Sequence, residues 1–98
     1  MAWVYILKCV DDTYYTGSTK DLERRIEQHQ SGMGANYTQK RLPVILVYFE
    51  EHKWVDDAFR REKQIQNWSR KKKEALIKGG GKLSLKKATK DSNNKNKG

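Results

Sequence analysis

Five side chains in this sequence are of types that phosphate chemistry uses: Tyr5, Tyr15, Arg25, His29 and Glu62. Three of them sit where apolar residues would be expected. After Gly17, the residues Leu22, Arg25, Ile26 and His29 recur three and four apart and so share one face of a helix. Arg25 and His29 therefore point inward. Val55, Ala58, Phe59, Glu62 and Ile65 form a second stripe, with Glu62 inside it rather than on the opposite face with Arg60, Lys63 and Gln64. An ionised carboxylate there is costly unless it is paired or metal-bound. On one reading, Arg25 and Glu62 form a semi-buried salt bridge and His29 is hydrogen-bonded at the core edge. On the other, a sheet and two helices frame a cleft in which Arg25 contacts an anion and Glu62 holds a divalent cation. The tyrosines add weight to the second reading, although strand packing would explain either one alone.

The elements that must position these groups follow from local patterns. Trp3-Val4-Tyr5-Ile6-Leu7 and Tyr14-Tyr15-Thr16 are aromatic and β-branched, and the turn-like Val10-Asp11-Asp12-Thr13 between them makes a β-hairpin, with Gly17 ending its second strand. Ser18, with Asp21 three residues on, approximates a capping box and predicts a helix over 19–31 that stops at Gly32. Residues 32–42 read as a basic loop. Pro43 then opens Val44-Ile45-Leu46-Val47-Tyr48-Phe49, a continuous apolar run that fits a strand covered on both faces. The Glu50-Glu51-His52-Lys53 stretch reads as a turn with His52 in solvent. A helix over 54–68 carries Asp56 and Asp57 in its first turn, where the helix dipole favours them, and a short helix follows Ser69 through Ile77. The expected fold class is α+β: a three-stranded, largely antiparallel sheet flanked by helices, in the order β-β-α-β-α-α.

Composition limits the alternatives. In 98 residues there is room for one domain, read as 1–78, followed by a lysine-rich tail over 79–98 with too little apolar content to order itself. The lone Cys9 has no internal disulfide partner, and with two histidines the chain lacks a structural zinc cluster. No apolar run approaches the roughly 18 residues of a membrane span, and no signal peptide precedes the first strand, so a reducing, cytoplasmic setting without a membrane is expected. The net charge of +9 and pI near 9.7 favour a polyanionic partner, because Lys and Arg at phosphates release condensed counterions. That charge is uneven: residues 1–78 carry 15 basic and 11 acidic groups, whereas residues 79–98 carry six Lys and one Asp.

Trp3-Val4-Tyr5, followed ten residues later by Tyr15-Thr16-Gly17, then Arg25, His29 and Glu62 in order, resembles the GIY-YIG nuclease pattern over roughly residues 2–77. The likeness is greatest to small bacterial stand-alone members of undefined cellular role, which share the basic ending Arg70-Lys71-Lys72-Lys73. The resemblance implies that Tyr5 is the general base or water-activating phenol and that Tyr15 positions it or the scissile phosphate. Gly17 would allow close approach by the backbone, Arg25 would neutralise charge on the phosphate, and His29 would assist by a hydrogen bond. Glu62 would coordinate one Mg²⁺ or Mn²⁺. Trp3 stands where the family usually has glycine, and Thr16 replaces the middle residue of the second triplet. The late asparagine of many family nucleases has no clear counterpart, since Asn67 falls on the outer face of its helix.

The function implied is metal-dependent hydrolysis of phosphodiester bonds, with DNA the expected polymer. Phosphate-contact candidates are Lys20, Lys40, Arg41, Arg70, Lys71, Lys72 and Lys73, with Tyr37 available to stack on a base. A monomer is expected, with targeting left to a partner protein. A non-catalytic DNA- or RNA-binding module on a degenerate version of the fold is the alternative. A protein-interaction adaptor would need an exposed apolar patch, for which Trp54 and Trp68 are the surplus apolar residues.

Overall fold

The computed structural model describes residues 1–79; the expected tail lies outside the described residues from position 80 onward. Its centre is β1 (Ala2–Lys8), which pairs antiparallel on one side with β2 (Tyr14–Thr19) and on the other with β3 (Ile45–His52), giving the order β2-β1-β3. The β1–β2 turn is closed by the Cys9 amide donating to the Thr13 carbonyl at 2.8 Å. Asp12 takes its left-handed position at φ 69°, a conformation that a short Asp side chain tolerates. Val47 is the extra residue of a bulge, since Ile6 lies opposite Tyr48 while Leu7 lies opposite Leu46.

Because successive strand residues point to opposite faces, the central strand feeds two cores. Ala2, Val4 and Ile6 pack with Tyr48, Ala58 and Ile65 beneath α3 (Val55–Gln66) and α4 (Arg70–Gly79). Tyr5, Leu7, Cys9 and Val44 form the second core, against which α1 (Leu22–Gln30) lays Leu22 and Ile26. The α+β class and the three-stranded antiparallel sheet are as the sequence predicts. Among the described residues no helix is long and apolar enough to cross a membrane.

Several local expectations are corrected. β2 continues through Gly17 to Thr19, because Ser18 and Thr19 pair with Val4 and Trp3; ladder hydrogen bonds displace the expected cap. Asp21 is the N-cap instead, accepting from the Arg24 amide at 3.2 Å. The expected loop contains a helical turn, α2 (Asn36–Gln39), which buries Thr38. β3 runs on to His52, so the first three residues of the turn expected at 50–53 are strand, and His52 bonds Glu50 rather than facing solvent alone. As an edge strand β3 is not covered along its whole length, and Ile45 is 56% exposed. α3 is also rotated from the expected stripe: Val55 and Phe59 are 45% and 53% exposed, and the inward line runs through Ala58, Arg61, Glu62 and Ile65 to the half-buried Trp68. α4 extends to Gly79, one residue into the expected tail.

Candidate active site

Tyr5 projects from the middle of β1 onto the face covered by α1 and is 1% exposed. Its cross-strand partner is Gly17, and a Cβ there would lie 2.5 Å from the phenol oxygen. Gly17 thus leaves room for the ring of Tyr5, a cross-strand aromatic-over-glycine arrangement. The resemblance implied backbone approach at this position; the neighbour that approaches is the phenol.

The Tyr5 hydroxyl lies 2.8 Å from Nε2 of His29, which is 0% exposed in the last turn of α1. The other ring nitrogen, Nδ1, lies 2.8 Å from the hydroxyl of Thr38, which in turn donates to the Ala35 carbonyl at 3.0 Å. Gly34 lets this segment close over the imidazole, since any Cβ there would collide with the ring. Tyr15 completes an aromatic group, its ring 5.2 Å from that of His29 and 6.4 Å from that of Tyr5. Tyr37 stacks on Tyr15 at 6.0 Å, and the Arg41 guanidinium lies 3.8 Å above the Tyr37 ring.

Arg25 and Glu62 supply the charge. Arg25 is half-buried on α1 and donates to the Gln28 side chain at 3.0 Å. Glu62 accepts at one oxygen from the Ser18 hydroxyl at 2.5 Å and at the other from the Gln66 amide at 2.8 Å. Among the described residues no salt bridge joins Arg25 to Glu62, so the semi-buried pair that the sequence allows does not form. Both nonetheless act on the tyrosines. Burial pushes the Tyr5 phenol up to about 12, with Arg25 opposing and Glu62 adding to the rise. Tyr15 is raised by burial too, with the same opposition between Arg25 and Glu62. Burial first, and then the charge of Arg25, lower His29 to about 4, so the imidazole is neutral at pH 7.

Among the described residues no three His, Cys, Asp or Glu side chains cluster as a metal site. A Mg²⁺ ion needs no such cage, since it keeps several waters and is commonly held by one or two carboxylates and substrate phosphate. Glu62 suits that demand: its carboxylate is half-buried and its protein partners are neutral donors, so its charge is not cancelled locally.

The remaining basic candidates are dispersed. Lys20, Lys40 and Lys71 are exposed, and Lys73 is half-buried. Lys72 lies 4.5 Å over the Trp68 ring. Arg41 is paired with Asp11 at 3.0 Å, and Arg70 with Asp12 and Glu74, both at 3.0 Å. Sequence reasoning overlooked Ser18, Thr38, Gly34 and Gln66 as parts of the site. Gln66 was recoverable as the i+4 neighbour of Glu62 on a helix; the contact between Thr38 and His29 has no local signal.

Comparison with known proteins identifies the family and the fold. The family model described as GIY-YIG catalytic domain matches residues 1–75. A UPF0213 protein of Staphylococcus aureus strain Mu3 is 47% identical over 76 residues, covering 78% of this chain and 93% of that protein. The solution structure of the UPF0213 protein BH0048 from Bacillus halodurans superposes with a TM-score of 0.55 at 39% identity, over 94% of this chain and 100% of the other. That of EF2693 from E. faecalis gives 0.54 at 32% identity, over 93% and 92%.

Proposed function

This chain belongs to the GIY-YIG family, and from that premise we propose that it is a metal-dependent endonuclease that hydrolyses phosphodiester bonds of DNA at the Tyr5, Tyr15, Arg25, His29 and Glu62 site. The observation that carries this reading is the buried Tyr5–His29 hydrogen bond beside two opposite charges, Arg25 and Glu62, that form no salt bridge with each other. A structural core would pair Arg25 with Glu62. A site for phosphate keeps the guanidinium available to an anion and the carboxylate to a cation.

In this mechanism the Tyr5 oxygen takes a proton from the attacking water as its own proton passes to Nε2 of His29. The hydroxide so formed bonds to phosphorus, and the leaving sugar oxygen takes a proton from solvent. His29 rests neutral with a lone pair facing Tyr5, and a phosphate bound at Arg25 would offset the cation that helps hold the imidazole's basicity down, so that the ring could take the phenol's proton. Arg25 neutralises charge that develops on the phosphate oxygens, and Tyr15 packs against both rings of the relay. Glu62 would hold the single Mg²⁺ or Mn²⁺, whose chemistry is charge stabilisation and lowering of the pKa of bound water. Lys20, Lys40, Lys71, Lys72 and Lys73 are the proposed phosphate contacts outside the site, together with Arg41 and Arg70, which would exchange their aspartate partners for phosphate.

The test is incubation of pure protein with labelled linear, flapped, branched and single-stranded DNA in Mg²⁺, Mn²⁺ or EDTA. Cleavage of at least one substrate, lost in EDTA and lost in Tyr5→Phe, is expected. Binding without cleavage under every metal condition would replace the nuclease reading with that of a DNA- or RNA-binding module.

A further inference from the structure

We propose that Thr38 is a positioning residue that fixes His29 as the tautomer protonated on Nδ1, which keeps the lone pair of Nε2 directed at the Tyr5 hydroxyl. The inference rests on the proton relay described above and adds to it the group that sets its direction. The hydrogens available along a buried chain decide its direction. A neutral imidazole carries one N–H and one lone pair, and each hydroxyl carries one hydrogen.

Tyr5 is almost fully buried, its hydroxyl lies against Nε2 of His29, and Arg25, the other polar group acting on it, can only donate. At the far end the Ala35 carbonyl can only accept, and it faces the Thr38 hydroxyl at 3.0 Å. With Nδ1 protonated, every hydrogen in the chain has an acceptor: Tyr5 donates to Nε2, Nδ1 donates to Thr38, and Thr38 donates to Ala35. With Nε2 protonated the chain reverses, and the buried Tyr5 hydrogen loses its acceptor. Leaving a buried donor unsatisfied is costly, so the first arrangement wins.

The consequence is chemical. In the reversed arrangement Nε2 carries a proton and cannot take another from Tyr5, so the relay stops. The tautomer held at one ring nitrogen is set by the hydrogen bond made at the other. The groups facing the imidazole are the Tyr5 and Tyr15 rings and the cation Arg25, so before substrate binds the ring rests neutral and its tautomer is decided by hydrogen bonds. Gly34 holds the segment that carries Thr38 against the ring, and α2 gives its hydroxyl the i−3 carbonyl that orients its hydrogen.

The experiment is long-range ¹H–¹⁵N correlation of the histidine rings at pH 7, free of substrate, in wild type, Thr38→Ser and Thr38→Val, with single-turnover cleavage measured alongside. Wild type and Thr38→Ser are expected to show Nδ1–H at His29. Thr38→Val, close in shape but with no oxygen, leaves one buried donor unsatisfied in either tautomer, so His29 is expected to become a mixture containing Nε2–H and cleavage to slow roughly 100-fold with unchanged DNA affinity. Thr38→Ala gives the same reading if valine disturbs the fold. A tautomer unchanged in the valine and alanine variants, or a serine variant that behaves like valine, overturns the assignment. The ring signals are read without DNA, so a shifted tautomer in a protein that never cleaves would sink the nuclease reading and leave the role of Thr38 standing.

Discussion

Tyr5 and Tyr48 lie on neighbouring strands, on opposite faces of one sheet, and both are almost wholly buried. Each ends in a polar cluster that contains a histidine. The Tyr48 hydroxyl donates to Glu50 at 2.6 Å, and the other Glu50 oxygen accepts from Arg61 at 2.9 Å and from His52 at 2.6 Å. Burial would raise the Glu50 carboxyl, but the hydrogen bonds from Tyr48, Arg61 and His52 outweigh it and hold the pKa below the usual carboxylate value. Tyr48 is raised by burial and by its bond to Glu50, so it is a fixed donor. That cluster is electrically closed, with a carboxylate and a guanidinium in contact. Around Tyr5 the order is inverted: the buried relay is neutral, and the opposite charges stand apart at its edge. Buried polar groups are thus no sign of function by themselves; what sets the Tyr5 region apart is that its opposite charges are not spent on each other.

The largest effect should separate the two tyrosines. Tyr5→Phe removes a reacting oxygen and keeps the ring over Gly17, so single-turnover cleavage is expected to fall by about 10²–10⁴-fold while DNA affinity holds. Tyr48→Phe removes one of the hydrogen bonds to Glu50 and should leave cleavage at the wild-type rate while costing about 1–2 kcal/mol of stability in urea unfolding. Equal losses of cleavage in the two variants would mean that the distinction between the faces carries no chemistry.

How far this contrast can be read in the sequence depends on which periodicity carries each residue. Arg25, His29 and Glu62 interrupt helical stripes, and a charge three or four residues from apolar neighbours is conspicuous. Tyr48, Glu50 and His52 alternate along β3, but the apolar run before them hides the change from covered strand to polar face, and the sequence reads there as a turn. Arg61 was passed over for a related reason. The expected stripe placed Val55 and Phe59 inward, whereas the helix turns them outward and brings Arg61 onto Glu50. Thr38 is further from reach, because its role depends on a segment folding back on a histidine nine residues earlier.

The two glutamates should differ next, in stability. Glu50→Gln strands Arg61 beside a neutral amide. Because Arg61 keeps about a quarter of its side chain in water, the cost is set below that of a fully buried pair, at about 2–3 kcal/mol. Among the described residues no cation pairs with Glu62, and its amide isostere can still accept from Ser18, so Glu62→Gln is expected to unfold within about 1 kcal/mol of wild type. It should nonetheless lose cleavage in both Mg²⁺ and Mn²⁺. Thermal and urea unfolding of the two variants, with cleavage alongside, makes the comparison. A Glu62→Gln protein that is as destabilised as Glu50→Gln, or that cuts as fast as wild type, would return Glu62 to a structural role.

The smallest difference lies in mild acid, where the two regions respond over separate ranges. His29 has a folded pKa depressed to about 4 from an ordinary 6.5, so below pH 6.5 the unfolded chain binds the proton more readily than the folded one. Its contribution to stability is complete above 6.5 and is lost as the pH falls toward 4. Between pH 7 and pH 5.5 that loss amounts to about 1 kcal/mol. Glu50 follows a similar sign over a lower range, since its pKa is held below 4.5 and its share is lost only as the pH falls past that value. Comparing His29→Gln with wild type at pH 7 and pH 5.5 therefore isolates the relay, since the cluster of Glu50, Arg61 and His52 is common to both proteins. His29→Gln is expected to start less stable, because it gives up the bonds to Tyr5 and Thr38, yet to lose about 1 kcal/mol less than wild type between the two pH values. If the variant weakens by as much as wild type over that interval, His29 is not held neutral by the fold, and the proton path from Tyr5 loses its acceptor.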